Sequence, residues 1–249
     1  MSVSRGHTRP SGQSSFYSPT LSTDFLTNLW RTCPQIEYLC DPQIAFQYDE
    51  PFHEYDATNT WTLTQATAGS AAISVTVPGS LTLDAGSTTA HQGAQIQHKK
   101  ATFLPAAGKD IWFECSVLLG TALTGEFFIG LAAVDTTIIA SGSMSTNNRI
   151  GWTGVAGDGV MVFDCDKAGT GTTATGVTLS ITVRHKLGFY YDGTADTVQQ
   201  YVDGVATGTA IATTYIPKAA CINPSFVCQT SGTSQPTMNI SGLRVFQLR

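Results

Sequence analysis

Residues 184–206 read RHKLGFYYDGTADTVQQYVDGVA. Leu187, Phe189 and Tyr191 alternate with Lys186, Gly188 and Tyr190, the period of two that marks a half-buried strand. A polar loop, Asp192-Gly193-Thr194-Ala195-Asp196, follows; a second run from Thr197 to Val202 then ends at Asp203-Gly204. Asp-Gly between two such runs signals a hairpin, because a type I′ turn needs positive φ at both central residues. The stretch predicts consecutive antiparallel strands on either side of two turns.

Outward from this stretch the texture persists. Strands are predicted at 61–65, 72–77, 80–83, 93–99, 111–119, 126–134, 149–153, 159–164, 176–183, 186–191, 197–202, 205–212, 221–230 and 237–247. Turn signals such as Pro78-Gly79, Asp84-Ala85-Gly86 and Ser231-Gly232 separate them. In the run GEFFIGLAAV, Phe127, Ile129 and Leu131 fall on one face and Glu126, Phe128 and Gly130 on the other. No alternation of strands with helices is visible, which excludes a nucleotide-binding α/β fold. The pattern predicts an all-β fold, an antiparallel sandwich or barrel, over residues 61–249.

Residues 1–60 differ. Residues 1–22 are polar, carry Arg5 and Arg9 with no acidic residue, and offer Phe16-Tyr17 as their one apolar spot. Such a segment buries too little surface to offset its ordering entropy and is expected to order on a partner. Residues 23–32, TDFLTNLWRT, predict the one short helix. Thr23 or Asp24 caps it, Phe25 with Leu29 and Leu26 with Trp30 make its apolar face, and Pro34 ends it. Residues 35–60 read as an acidic, aromatic connector without regular structure. Fully extended, an arm of this length reaches at most about 200 Å.

The composition narrows the function. At 249 residues and 42% hydrophobic the chain can bury a large core, yet only 12% of its residues are charged. Threonine, serine, glycine and amides must therefore cover the surface, which suits a protein packed against others. The net charge of −5 argues against nucleic acid as a partner. No apolar run is long enough to span a membrane, and the first residues lack the apolar stretch of a secretory signal, so synthesis in the cytoplasm without export is expected. The 6 cysteines form no CxxC pair and are expected to be free thiols, several of them buried.

Candidate chemistry is sparse. Tyr48–Asp56 is the densest polar cluster; on a strand, Glu50, Glu54 and Asp56 would share a face, with His53 opposite. Paired carboxylates suit glycoside hydrolysis, and a solvated acidic connector is the plainer reading. Asp192, Asp196 and Asp203 suggest Ca²⁺, but Asp-Gly turn chemistry accounts for them. The Gly-rich run 151–159 lacks the Lys-Ser/Thr of a phosphate loop and reads as a tight connection, with Trp152 as the candidate exposed platform for sugar stacking. No nucleophile elbow surrounds any serine. The expectation is a protein that is no enzyme and takes no cofactor or metal.

The strand KLGFYYDG, the run VQQYVDG and the last strand NISGLRVFQ together resemble a concanavalin A-like (laminin-G-like) jelly roll. The segments GAQIQHKKATFLPAAGKDIWFECSV, GEFFIGLAAVD and NRIGWTGVAGDG resemble a group of tailed-bacteriophage virion proteins with that domain. The resemblance covers residues 61–249 and implies a virion structural protein, a capsid decoration or cement protein on the capsid surface, assembled in the host cytoplasm. Its implied partners are the major capsid protein and neighbouring copies, with a trimer as the implied oligomer. Arg5, Arg9, Phe16, Tyr17, Phe25, Leu29 and Trp30 would then anchor the arm to its partner. The alternative is a tail or fibre module that binds host glycans through residues such as Trp152.

Overall fold

The structure is a computed structural model that describes residues 29–31, 33, 43–66, 68–120, 125–155, 159–174, 176–218, 220–232 and 234–249. Two eight-stranded antiparallel sheets form a sandwich. Sheet A holds β1 (Ala45–Glu50), β3 (Ser70–Ile73), β4 (Leu81–Asp84), β6 (Ile111–Gly120), β14 (Arg184–Asp192), β15 (Thr197–Val202), β16 (Val205–Ala212) and β18 (Thr237–Leu248). Sheet B holds β2 (Trp61–Ala66), β5 (Gly93–His98), β7 (Gly125–Ala132), β10 (Arg149–Gly154), β11 (Val160–Lys167), β12 (Thr170–Thr173), β13 (Val177–Thr178) and β17 (Asn223–Thr230). A small hairpin of β8 (Ile139–Ala140) and β9 (Ser143–Met144) stands apart from both sheets.

Sheet A runs β16-β15-β14-β6-β18-β4-β3, with β1 also on β18; sheet B runs β12-β11-β10-β7-β17-β5-β2, with β13 also on β11. In the middle of each sheet, neighbours in space are far apart in sequence, β6 beside β14 and β18 and β7 beside β17, as in a jelly roll. The hairpin predicted at 184–206 is present: Leu187 pairs with Val202 and Asp192 with Thr197. Asp203 and Gly204 have φ of 51° and 81°, the positive pair that a type I′ turn requires.

The alternation read in the sequence decides which side chains meet. Phe113 and Phe189 stack at 5.0 Å between ring centroids, and Phe163 lies 5.7 Å from Phe189 across the gap between the sheets. Leu81, Val117, Ile129, Ile150, Phe226 and Ile240 fill the same interior. Cys115, Cys165, Cys221 and Cys228 are free thiols. Burial of Cys115, Cys165 and Cys228 pushes their thiols above the ordinary range.

Several expectations need correction. The connector 35–60 contains a strand: β1 pairs Ala45 with Leu248 through Glu50 with Leu243, and Phe52 is fully buried beside Trp61, their rings 5.8 Å apart. The strand expected over 176–183 shrinks to Val177–Thr178. Of the helix expected at 23–32, the described part is a single 3-10 turn, Leu29–Arg31. No helix among the described residues is long and apolar enough to cross a membrane.

Candidate functional site

Strand β7 sets the site. Phe127, Ile129 and Leu131 enter the interior, so alternation turns Glu126, Phe128, Gly130 and Ala132 to the outer face of sheet B. Register then aligns neighbours on that face: Gln229 beside Glu126, Val227 beside Phe128, Ser225 beside Gly130. On β5, Gln95 lies opposite Val227 and Gln97 opposite Ser225.

This face is covered by the chain itself. Gln95 donates from its amide to Asp135 O at 2.5 Å and accepts from Ile138 N at 3.0 Å. Gln97 donates to Ala133 O at 3.1 Å and accepts from Asp135 N at 3.0 Å. Each glutamine thus closes a ring with the backbone of the segment 133–138. Ile138 and Ile139 follow and pack on Phe128 and Val227. At the far end Arg149 donates to Ser145 O and to Asn147 O. Residues 133–148 form a roof over the strands.

Two titratable clusters lie beneath or beside this roof. Glu126 accepts from His91 Nδ1 at 2.8 Å; its side chain is 2% exposed and that of His91 39%. Burial raises the Glu126 carboxyl above the ordinary range, and the neighbouring imidazole opposes that rise. The Ser141-Gly142 turn of the small hairpin sits on this pair: a Cβ on Gly142 would lie 3.0 Å from His91 Cε1 and 3.2 Å from Glu126 Oε1. A side chain there would crowd both, and both turn residues have positive φ. The second cluster joins Arg149 to Asp164 and, at 3.4 Å, to Asp166, all three buried. Burial raises the Asp164 carboxyl, while the Arg149 charge counteracts it. Chemically, Glu126 is a buried carboxyl, raised above its ordinary range, beside a partly exposed imidazole.

The residues singled out in the sequence lie elsewhere. Trp152 is not an exposed platform: it is fully buried, its indole N–H donates to Gly188 O at 3.2 Å, and its register opposite Ile129 and Phe163 turns it inward. Glu50, Glu54 and Asp56 do not share a strand face, because β1 ends at Glu50. Glu50 accepts from Phe52 N at 2.9 Å and from the Tyr48 hydroxyl at 3.1 Å, while Asp56 accepts from Thr58 N and Asn59 N. Asp192 accepts from Thr194 N and Ala195 N, Asp196 from Lys218 Nζ, and Asp203 from Lys186 N and His185, so turn and ion-pair chemistry accounts for all three.

Leu29 is 1% exposed and packs with Trp112, Tyr201 and Phe246 on the outer face of sheet A; Trp30 joins this cluster, with the Arg244 guanidinium 5.6 Å from its ring centroid. These two anchors engage the chain's own sheet. Arg5, Arg9, Phe16, Tyr17 and Phe25 lie outside the described residues. Sequence reasoning missed Gln95, Gln97, His91 and Arg149. The available signal was amides at alternate positions of a predicted strand, where an exposed face would carry charges.

No protein-family model matches the chain, and no curated protein does. Solved structures do. A Bacillus licheniformis β-glucanase aligns with a TM-score of 0.58 at 14% identity, over 80% of this chain and 97% of that one. Peanut lectin aligns at 0.58 and 12% identity, over 82% and 98%. An endo-1,3-β-glucanase from Streptomyces sioyaensis aligns at 0.57 and 13% identity, over 83% and 98%. The expectation that the chain is no enzyme is corrected by this: glucanases share its architecture, so a missing sequence motif is no ground for excluding glycoside chemistry. At these identities the likeness is one of fold, and the fold is the concanavalin A-like jelly-roll sandwich.

Proposed function

We propose that this chain is an assembly module of a virion surface, a capsid decoration or cement protein tethered by its N-terminal arm to the major capsid protein and to neighbouring copies. One observation carries the reading: Leu29 is sunk into the outer face of sheet A, which fastens the chain to the sandwich at that residue. Two further features support it. The outer face of sheet B is roofed by residues 133–148, which directs contacts toward the arm and the sheet edges. A surface with only 12% charged residues in the chain suits permanent packing. The glycan-binding alternative has lost its platform in Trp152. The test is to delete residues 1–28 and measure incorporation into particles, with circular dichroism to show that the sandwich is intact. Incorporation should fall about tenfold or more; undiminished incorporation of the folded protein refutes the tether.

A second reading is glycoside chemistry on the outer face of sheet B. Glu126 favours it, as a buried carboxyl whose protonation range is raised. The other buried carboxylates of that face, Asp164 and Asp166, stand on β11, two strands away. Polysaccharide cleavage lost in Glu126→Gln would establish this reading, and absence of cleavage by the native chain would dismiss it.

A further inference from the structure

Sheet B ends on β2, the strand Trp61–Ala66. A terminal strand offers its outward main-chain N–H and C=O groups to another chain, and proteins commonly blunt such edges by shortness, irregularity or charge. The other free ends of the two sheets are blunted in these ways. β3 and β12 have 4 residues each and β13 has 2, the ladder that holds β16 is broken between Val198 and Gln200, and β1 carries Asp49 and Glu50. β2 shows none of this: WTLTQA is 6 residues long, holds no charge and no proline, and keeps an unbroken register with β5.

The ladder fixes which groups of β2 are on offer. Lys99 N donates to Thr60 O at 2.8 Å, and hydrogen-bonded pairs of an antiparallel ladder recur at every second residue. Thr62, Thr64 and Ala66 therefore direct their main-chain groups to Gln97, Gln95 and Gly93, while Trp61, Leu63 and Gln65 turn theirs to the free edge. Trp61 N is engaged there, donating to Asp56 O at 2.9 Å. Among the described residues nothing bonds the main chain of Leu63 or Gln65 on that side, and Leu63 is half-buried and Gln65 exposed. The surroundings carry no charge either. Residues 57–83, which supply β2, β3 and β4, contain no Asp, Glu, Lys, Arg or His. β3, the end of sheet A, lies against β5 on this side, and Val75 just beyond it is 97% exposed.

We propose that β2 is an interface between copies of this chain, pairing antiparallel with β2 of a second copy across a twofold axis so that the two B sheets run on as one. The register follows from the free groups. With Thr64 facing Thr64 of the second copy on the axis, Leu63 lies opposite Gln65 of that copy and Gln65 opposite its Leu63. Each of these pairs exchanges two main-chain hydrogen bonds, which engages the groups that the edge leaves open. Threonine opposite threonine is a favourable cross-strand pair. An uncharged strand meets its own copy without like charges in contact, whereas a charged partner would find no counter-ion along residues 57–83. The proposal rests on neither the arm nor the virion reading.

The test is cysteine cross-linking and sedimentation of the full chain. Opposed residues of a non-hydrogen-bonded pair stand close enough for a disulfide, so Thr64→Cys should cross-link into a dimer under mild oxidant. Thr62→Cys faces Ala66 of the second copy in this register and should not, and neither should the native chain with its exposed Cys221. Sedimentation equilibrium should show reversible dimers of the native chain. Gln65→Pro removes an edge N–H while leaving the β2–β5 ladder its bonds, and Thr64→Lys sets two like charges on the axis. Each should weaken dimerisation about tenfold or more with a native circular dichroism spectrum. A native chain that stays monomeric up to about 1 mM overturns the proposal. So does a dimer that survives both variants, or one that cross-links equally through position 62.

Discussion

Leu29 occupies the space that a side chain at Gly188 would need: a Cβ on Gly188 would lie 2.6 Å from Leu29 Cδ2. Gly188 pairs with Glu114 and with Tyr201 in the middle of sheet A, so the notch is framed by strands on both sides. Around it stand Trp112, Tyr190 and Phe246, whose rings contact one another at 5.0 and 5.6 Å between centroids. This aromatic patch lies on the outside of the sandwich, and the Leu29–Arg31 turn is what covers it.

Leu29→Ala should cost about 2–3 kcal/mol, the lower part of the range for a buried leucine. Urea unfolding followed by tryptophan fluorescence measures it, since Trp112 and Trp30 lie in the same cluster. Gly188→Ala should expel the turn and also strain the pairing of β14 with β6, because the same Cβ would lie 2.6 Å from Phe113 O; limited proteolysis should then cut before Ala45 faster than in the native chain, with a lowered melting temperature.

Arg149→Ala should cost about 3–5 kcal/mol, because it leaves two buried carboxylates without their cation. It should also accelerate amide exchange across residues 133–148, whose carbonyls at Ser145 and Asn147 the guanidinium holds. Arg149→Lys keeps the charge without the planar fork and should restore stability more fully than the slow exchange. Equal exchange rates in native and Arg149→Ala chains would refute the roof's dependence on this residue.

The raised Glu126 carboxyl gives a signed pH dependence. Above the ordinary carboxylate range the folded chain retains a proton that the unfolded chain has released, so stability falls as pH rises through the raised value. Glu126→Gln removes that fall while preserving an acceptor for His91. Denaturant midpoints from pH 4 to 8 should therefore slope less in the variant; identical slopes would contradict the assignment.

His98 provides the opposite sign. It is buried between Tyr48 and Trp61, with ring centroids at 4.5 and 5.1 Å, and its Nδ1 accepts from Lys100 N and Ala101 N. Burial and then the Lys100 charge push its imidazole from 6.5 down to about 4. Between these values the unfolded chain binds a proton that the folded chain refuses, so stability is lost as pH falls across that window. NMR titration of the His98 ring should show a midpoint near about 4.

What could be read from the sequence follows from the range of the interactions. Strands β15 and β16 match the expected residues because the Asp203-Gly204 turn and the alternation are local. Strand β1 was hidden since AFQYDE looks like part of an acidic linker; its partner, Leu243–Leu248, lies about two hundred residues away. The hairpin of β8 and β9 has two-residue strands, too short for any period to show. Trp152 was misplaced for a related reason. Its glycine-rich neighbours suggest a loop, whereas pairing on both sides with β7 and β11 makes it interior. The site on sheet B depends on amides that meet a segment some forty residues on, and that pairing leaves no local trace.

The glutamine rings at Gln95 and Gln97 also separate two properties that most sheets tie together. Where strands face solvent, their outward side chains set both the stability of the sheet and the chemistry it presents. Here the outward side chains of β5, β7 and β17 are committed to holding residues 133–148, and solvent meets exposed positions of that segment such as Val134 and Ser141. The presented surface can therefore be rewritten in the loop while the strands that carry it stay unchanged.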